Sequence, residues 1–242
     1  MNEGIWAIWY DLPESGNDDY ISWLHENYLP DTLKRPGIAW AAHYQAVQKP
    51  NKVHQYLTHT DDEEVGTGTQ YVLVVGATHP YIFFGRDSVL LDLEADPEVK
   101  EMVSRRQGAR PCVFAQEAFA TGPEYGSRTP GSTPAPAIQM GSFRTSCVED
   151  EYNLAQWYAQ YRMPAVSSMP GCVAVRKLLS VVGWAKHSVM YEFTSLQARE
   201  DHFLKHESLG LKDGEWTNKI VTYTRHSPGS PTIGERIWPA VP

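Results

Sequence analysis

Two stretches decide the fold: Tyr20–Gly37, YISWLHENYLPDTLKRPG, and Leu154–Gly171, LAQWYAQYRMPAVSSMPG. A shift of 134 residues carries Trp23, Pro30, Pro36 and Gly37 onto Trp157, Pro164, Pro170 and Gly171. Similar residues fill the gaps, with Glu26 over Gln160, Leu29 over Met163 and Tyr20 over Leu154; upstream, Trp9 falls over Phe143. Self-similarity at a fixed offset is the signature of a repeated structural unit. Within each stretch the large apolar residues recur at helical spacing, Tyr20, Trp23, Leu24 and Tyr28 in one, Leu154, Trp157, Tyr158 and Tyr161 in the other. The spacing predicts helices over 18–33 and 150–166, each opening on acidic residues and each running to a Pro-Gly breaker.

The same order of elements surrounds both helices. Extended segments precede them at 5–11 and 138–145 and follow them at 38–47 and 172–181. A third strand is predicted at 71–78 and again at 188–194, a second helix at 97–106 and 196–207, and a closing strand at 112–120 and 219–224. The order is βαββαβ, twice. In such a split βαβ unit two helices cover one face of a four-stranded antiparallel sheet and leave the other face in need of a partner. Two copies can supply each other, so the expected architecture is α+β, with two tandem ferredoxin-like repeats forming one pseudo-twofold α+β barrel. The expected boundaries are 1–121 for the first repeat, with an insertion at 48–69, then a linker at 122–137 (GPEYGSRTPGSTPAP at its heart) and 138–242 for the second repeat with its tail.

Trp23, His25, Pro30, Pro36 and Gly37 together resemble the first-helix signature of the dimeric α+β barrel superfamily, especially its EthD-like members. The resemblance implies a site between sheet and helices. It also implies an activity drawn from cofactor-independent monooxygenases, polyketide cyclases, muconolactone isomerases and aldoxime dehydratases, or from haem enzymes related to chlorite dismutase. The second repeat has Ala159 where the first has His25, which suggests that one half kept the chemistry.

Histidine is the side chain that titrates near neutrality, so the candidate bases are His25, two positions after Trp23 on the helix, and His43 on the second strand. In IAWAAHYQAV the alternation puts Trp40, Ala42 and Tyr44 on one face and Ala39, Ala41, His43 and Gln45 on the other. If the latter face lines the cavity, His43 is a polar group in an apolar pocket; if it meets the helices, His43 is a satisfied core histidine. Tyr28 or Tyr44 would donate to developing oxyanion charge, with Trp9 and Trp40 as apolar wall. Arg144 and Arg176 sit on strands with Glu192 nearby in sequence, either to grip a substrate carboxylate or to form a structural ion pair. The insertion carries His54, Tyr56, His59 and the acidic run Asp61–Glu64, and HPYIFFGRD, His79–Asp87, reads as a lid or interface strip that adds His79 and Arg86 to the substrate-binding candidates.

A net charge of −8 with no basic run argues against nucleic acid as a partner. No basic-then-apolar leader opens the sequence and no run of apolar residues is long enough to cross a bilayer, so neither export nor membrane attachment is indicated and a cytoplasmic location is expected. Cys112, Cys147 and Cys172 show no CxxC spacing, and His202 with His206 lacks a third ligand, so no metal is expected. GxGxxG, GxxxxGK[ST] and GxSxG are absent. The leading reading is a cofactor-free lyase, isomerase, cyclase or monooxygenase that works by His-mediated proton transfer. Its substrate would be a small apolar molecule, aromatic or polyketide-like, and homodimerisation is left open. The alternatives are a haem enzyme with an axial histidine such as His187, and a non-catalytic ligand-binding or stress-response barrel.

Overall fold

The computed structural model describes residues 3–47, 56–86, 96–127 and 134–241. Its strands are β1 Gly4–Asp11, β2 Ile38–Ala46, β3 Thr58–His59, β4 Tyr71–Ala77, β5 Gln107–Thr121, β6 Ala137–Arg144, β7 Cys172–Val182, β8 His187–Phe193, β9 Arg225–His226 and β10 Thr232–Trp238. The helices are α1 (17–33), α2 Pro97–Ser104, α3 (148–167), α4 (196–207) and α5 Trp216–Tyr223.

Strands β5-β1-β4-β2 form one four-stranded unit and β10-β6-β8-β7 the other, with the same internal order. They join through β5 against β7 and β10 against β2, so eight antiparallel strands close on themselves. Closure explains why IWAIWYD in β1 shows no apolar–polar alternation: both faces are covered. Ile5, Ala7 and Trp9 point into the barrel beside Trp40, Tyr44, Phe114, Ile138 and Met190, a core drawn from both repeats. Trp6, Ile8 and Tyr10 point out, under α1, in a second core. Phe143, Val175, Tyr191 and Phe203 belong to the corresponding core of the second repeat.

The repeats match in detail. In both first helices a π-helical turn occupies the equivalent position, Leu24–Tyr28 and Tyr158–Arg162, with the N–H of Leu29 reaching Leu24 O and that of Met163 reaching Tyr158 O. A proline follows each, and since proline brings no N–H and crowds the preceding turn, a widened turn accommodates it. Gly37 and Gly171 end the two segments at φ +84° and +77°, backbone that side chains disfavour. The next strands bulge at equivalent places, Ile38/Trp40 and Cys172/Ala174.

Two expectations need correction. Residues 219–224 are not a strand: KIVTY lies in α5 with Thr224 as its C-cap, and the fourth strand of the second repeat is β10. The overlay of Trp9 on Phe143 is off by one, because the offset that aligns the helices does not hold in the first strand. Trp9 faces the barrel interior while Phe143 faces the helices, so Tyr10, paired with Tyr71, is the counterpart of Phe143, paired with His187. Of the insertion, β3 pairs in parallel with β9, and His54 lies outside the described residues. HPYIFFGRD forms a 3-10 turn, Pro80–Phe84, that buries Phe83 and leaves Tyr81 and Phe84 exposed; Asp87 lies outside the described residues.

Candidate active site

Between α1 and the outer face of the first sheet unit lies a chain of polar groups. His25 Nε2 is 2.8 Å from His43 Nδ1, and His43 Nε2 is 2.8 Å from the Tyr10 hydroxyl. His43 is fully buried. Its face of β2 therefore meets the helices, and His43 is a buried histidine with both ring nitrogens satisfied, by His25 and by Tyr10. The π turn belongs to this arrangement. Inserting a wide turn changes the phase of a helix, and His25, the second residue of that turn, packs edge-on against His43 at 5.1 Å.

Tyr10 is hydrogen-bonded to Tyr20, and Tyr20 accepts from Arg106 Nε at 2.6 Å. The Arg106 guanidinium lies 5.1 Å from the Tyr10 ring and 5.8 Å from that of Tyr20, and its two terminal nitrogens are buried without a hydrogen-bond partner among the described residues. Tyr71 stacks on both Tyr10 and His43, Trp238 stacks on His25 at 6.2 Å, and Tyr28 packs on Trp23.

Burial sets the electrostatics. It lowers His25 to about 4, and it pushes His43 well below its ordinary range, reinforced by His25 and then by Arg106. Burial raises Tyr10 well above its ordinary value and Tyr28 to about 12, in each case against the pull of Arg106. All four groups are thus uncharged at neutral pH, and the cation beside them is Arg106. A neutral imidazole has one donor and one acceptor nitrogen, so the chain from Tyr10 to His25 runs in one direction or the other, and Nδ1 of His25 is correspondingly a donor or a lone pair.

The other sequence candidates lie elsewhere. Trp9, Trp40 and Tyr44 face the barrel interior, on the opposite side of the sheet from His43: Trp9 Nε1 donates to Thr232 Oγ1 and the Tyr44 hydroxyl donates to Ala135 O. Arg176 shares that interior, with Nε donating to Glu192 Oε1 at 2.8 Å and Nη1 to Gln116 Oε1 at 2.8 Å. Arg144 is exposed and lies over Trp184, Arg86 is exposed, and His79 caps the 3-10 turn by accepting from Tyr81 N. Tyr10, Tyr20, Arg106 and Trp238 were not among the candidates. Alternation in β1 puts Tyr10 on the face of Trp6 and Ile8, a usable signal, whereas Arg106 lies between a helix and a strand where no pattern singles it out.

Counterparts of the histidines in the second repeat are Ala159 and Lys177. Lys177 Nζ is 3.1 Å from Glu117 Oε2 and 3.0 Å from His187 Nδ1, and His187 Nε2 is 2.9 Å from Glu151 Oε2. A haem would need an axial imidazole with a free nitrogen over an apolar slot. His187 has both nitrogens engaged, so it does not fit that role. No group of three histidine, cysteine or acidic side chains suited to a metal ion occurs among the described residues.

The fold can now be compared. Over 98% of its length the chain superposes on a protein provisionally described as a chlorite dismutase, with 96% of that chain covered, a TM-score of 0.57 and 11% identity. It superposes equally far on an anthrone oxidase-like protein (91% covered, TM-score 0.55, 10% identity) and on a dye-decolorizing protein from V. cholerae (94% covered, TM-score 0.54, 11% identity). The chain has the α+β barrel fold. Identities this low speak to fold alone. No protein-family model and no curated protein sequence matches the chain. No described helix is long and apolar enough to cross a membrane.

Proposed function

We propose that the barrel is an EthD-like, cofactor-independent enzyme. It would move a proton at an acidic carbon of a small apolar substrate, aromatic or polyketide-like, with the first repeat as its active half. The observation that carries this reading is the continuous hydrogen-bonded chain His25–His43–Tyr10, backed by Arg106. In one state Tyr10 O–H donates to His43 Nε2, His43 Nδ1–H donates to His25 Nε2, and Nδ1–H of His25 is available to substrate. When that outer proton leaves, the two inner protons shift outward. Tyr10 becomes a phenolate, each histidine carries its proton on Nε2, and Nδ1 of His25 is a lone pair. The reverse shift abstracts a proton. Neither step places positive charge on buried His43, whose protonation the surroundings oppose, and the phenolate forms beside the Arg106 cation. His25 is thus the general acid–base, His43 and Tyr10 are its proton reserve, and Tyr28 packs the wall under α1. The anthrone oxidase-like neighbour makes anthrone, whose ring methylene is acidic, a reasonable first probe.

The test follows hydrogen–deuterium exchange at that methylene by NMR in D2O, together with oxygen uptake. General acid–base groups are worth about 10²- to 10⁴-fold in rate. His25→Ala is expected to cost at least about a hundredfold, and Tyr10→Phe is expected to remove the reserve while leaving binding intact. Unchanged turnover in the His25→Ala, His43→Leu double variant would sink the reading.

A further inference from the structure

The second repeat holds a pocket of about 70 Å³, partly open to solvent, between its first helix and the outer face of its sheet. Its walls are largely aromatic and aliphatic: Phe143, Trp157, Val189, Val221 and Leu57. Arg162, the last residue of the π turn and the counterpart of Tyr28, lines this pocket and is 7% exposed. Its guanidinium lies 4.7 Å over the Trp157 ring and 5.5 Å from that of Phe203, and its Nε is buried without a hydrogen-bond partner among the described residues. A buried cation with an unmet donor calls for an anion.

The other charges in the pocket do not answer that need. Glu207 also lines it, but its carboxylate accepts from Gln139 Nε2 and pairs with Arg199 at 3.5 Å, while Gln139 in turn accepts from Arg199. Tyr158 and Tyr191 are hydrogen-bonded to each other, and burial pushes Tyr191 up to about 12 and raises Tyr158 well above its ordinary value. Both phenols therefore stay protonated and can donate. The proton chain of the first repeat has no equivalent, since Phe143, Ala159 and Lys177 stand where Tyr10, His25 and His43 do.

We propose that this pocket is a separate binding site for a small planar aromatic carboxylate, held by Arg162 through its carboxylate and by the aromatic walls through its ring, and bound without being transformed. The site does not depend on the proton-transfer reading of the first repeat. The last position of the π turn is thus a wall tyrosine, Tyr28, in one half and a buried cation, Arg162, in the other.

Titration of the full chain with benzoate, benzamide and acetate, followed by backbone amide NMR, tests this. Benzoate is expected to shift signals of residues around Phe143, Trp157 and Arg162, with benzamide and acetate each about tenfold weaker or worse, since a charge-assisted contact and a buried ring are each worth about that much. Arg162→Gln should weaken benzoate at least about tenfold. Gly141→Val provides the second arm: Gly141 lines the pocket, and a Cβ there meets Val189 and Phe143 only at ordinary contact distances of 3.6 Å or more, so the variant should fold and exclude the ligand. Equal binding of benzamide and benzoate, benzoate binding that survives either substitution, or shifts confined to the first repeat would overturn the proposal.

Discussion

Glu192 offers the sharpest test of how the barrel interior is held. It is fully buried, Arg176 is 6% exposed, and their side chains meet at 2.8 Å; Glu192 Oε2 also accepts from Ala135 N at 3.1 Å. At an effective dielectric near 20 the attraction of such a pair is about 4 kcal/mol, and the loss of hydration on both sides offsets most of it. The pair as a whole is therefore worth little, while removing one member takes away the other's opposite charge in a buried setting, at a cost of about 3–5 kcal/mol. Glu192→Leu and Arg176→Met should each lose about that much stability in urea unfolding at neutral pH, followed by far-ultraviolet circular dichroism. The double variant Arg176→Met, Glu192→Gln keeps an acceptor for Ala135 N and should fall within about 1–2 kcal/mol of the parent. A loss below about 1 kcal/mol in both single variants would refute the reasoning, and with it the assignment of Arg176 to structure rather than to substrate.

Acid should weaken the fold through its neutral histidines. Burial, then Lys177, holds His187 at about 4 against an ordinary 6.5, with Glu151 opposing. Between those values the unfolded chain binds a proton that the native state does not, so stability rises with pH across the window and is lost as pH falls through it. At pH 5 His187 alone accounts for about 2 kcal/mol; His187→Asn should flatten the change in urea midpoint between pH 7 and 5, and an unaltered slope would contradict the assignment. At the two helix exits, Gly37→Ala and Gly171→Ala force a side chain into the left-handed region at a cost of about 1–2 kcal/mol each, and the new Cβ would lie 2.6 Å from Ile82 Cδ1 or 2.5 Å from Ala198 Cβ. Each variant should melt at a lower temperature than the parent, and equal melting would show that these exits relax.

What could be read from sequence followed from local chemistry. Trp, Pro and Pro-Gly at matched spacing located both first helices, since breakers and apolar periodicity act over a few residues, and the second and third strands of each repeat followed from their apolar runs. The closing strand of the second repeat was missed because KIVTYT satisfies a strand pattern as well as a helix face, while TIGERIW, with a glycine and two charges, becomes a strand only by pairing with β2 and β6. The site was half legible for the same reason. His25 and His43 stand out by chemistry, but their union depends on a π turn and on which face of β2 meets the helices. Arg106 and Tyr20 meet only through tertiary packing, 86 residues apart.

The joint between β10 and β2 also bears on how the chain reaches its fold. β10 follows every other strand in chain order, yet it fills the gap between β6 and β2, so the edge of β2 has no partner until nearly the whole sequence is available. An unpaired edge is a template for pairing with other molecules. During synthesis or refolding, the residues that close the ring therefore also act as a guard on the first repeat, and a chain shortened before Thr232 should be sticky at β2 even with both helix-covered cores in place.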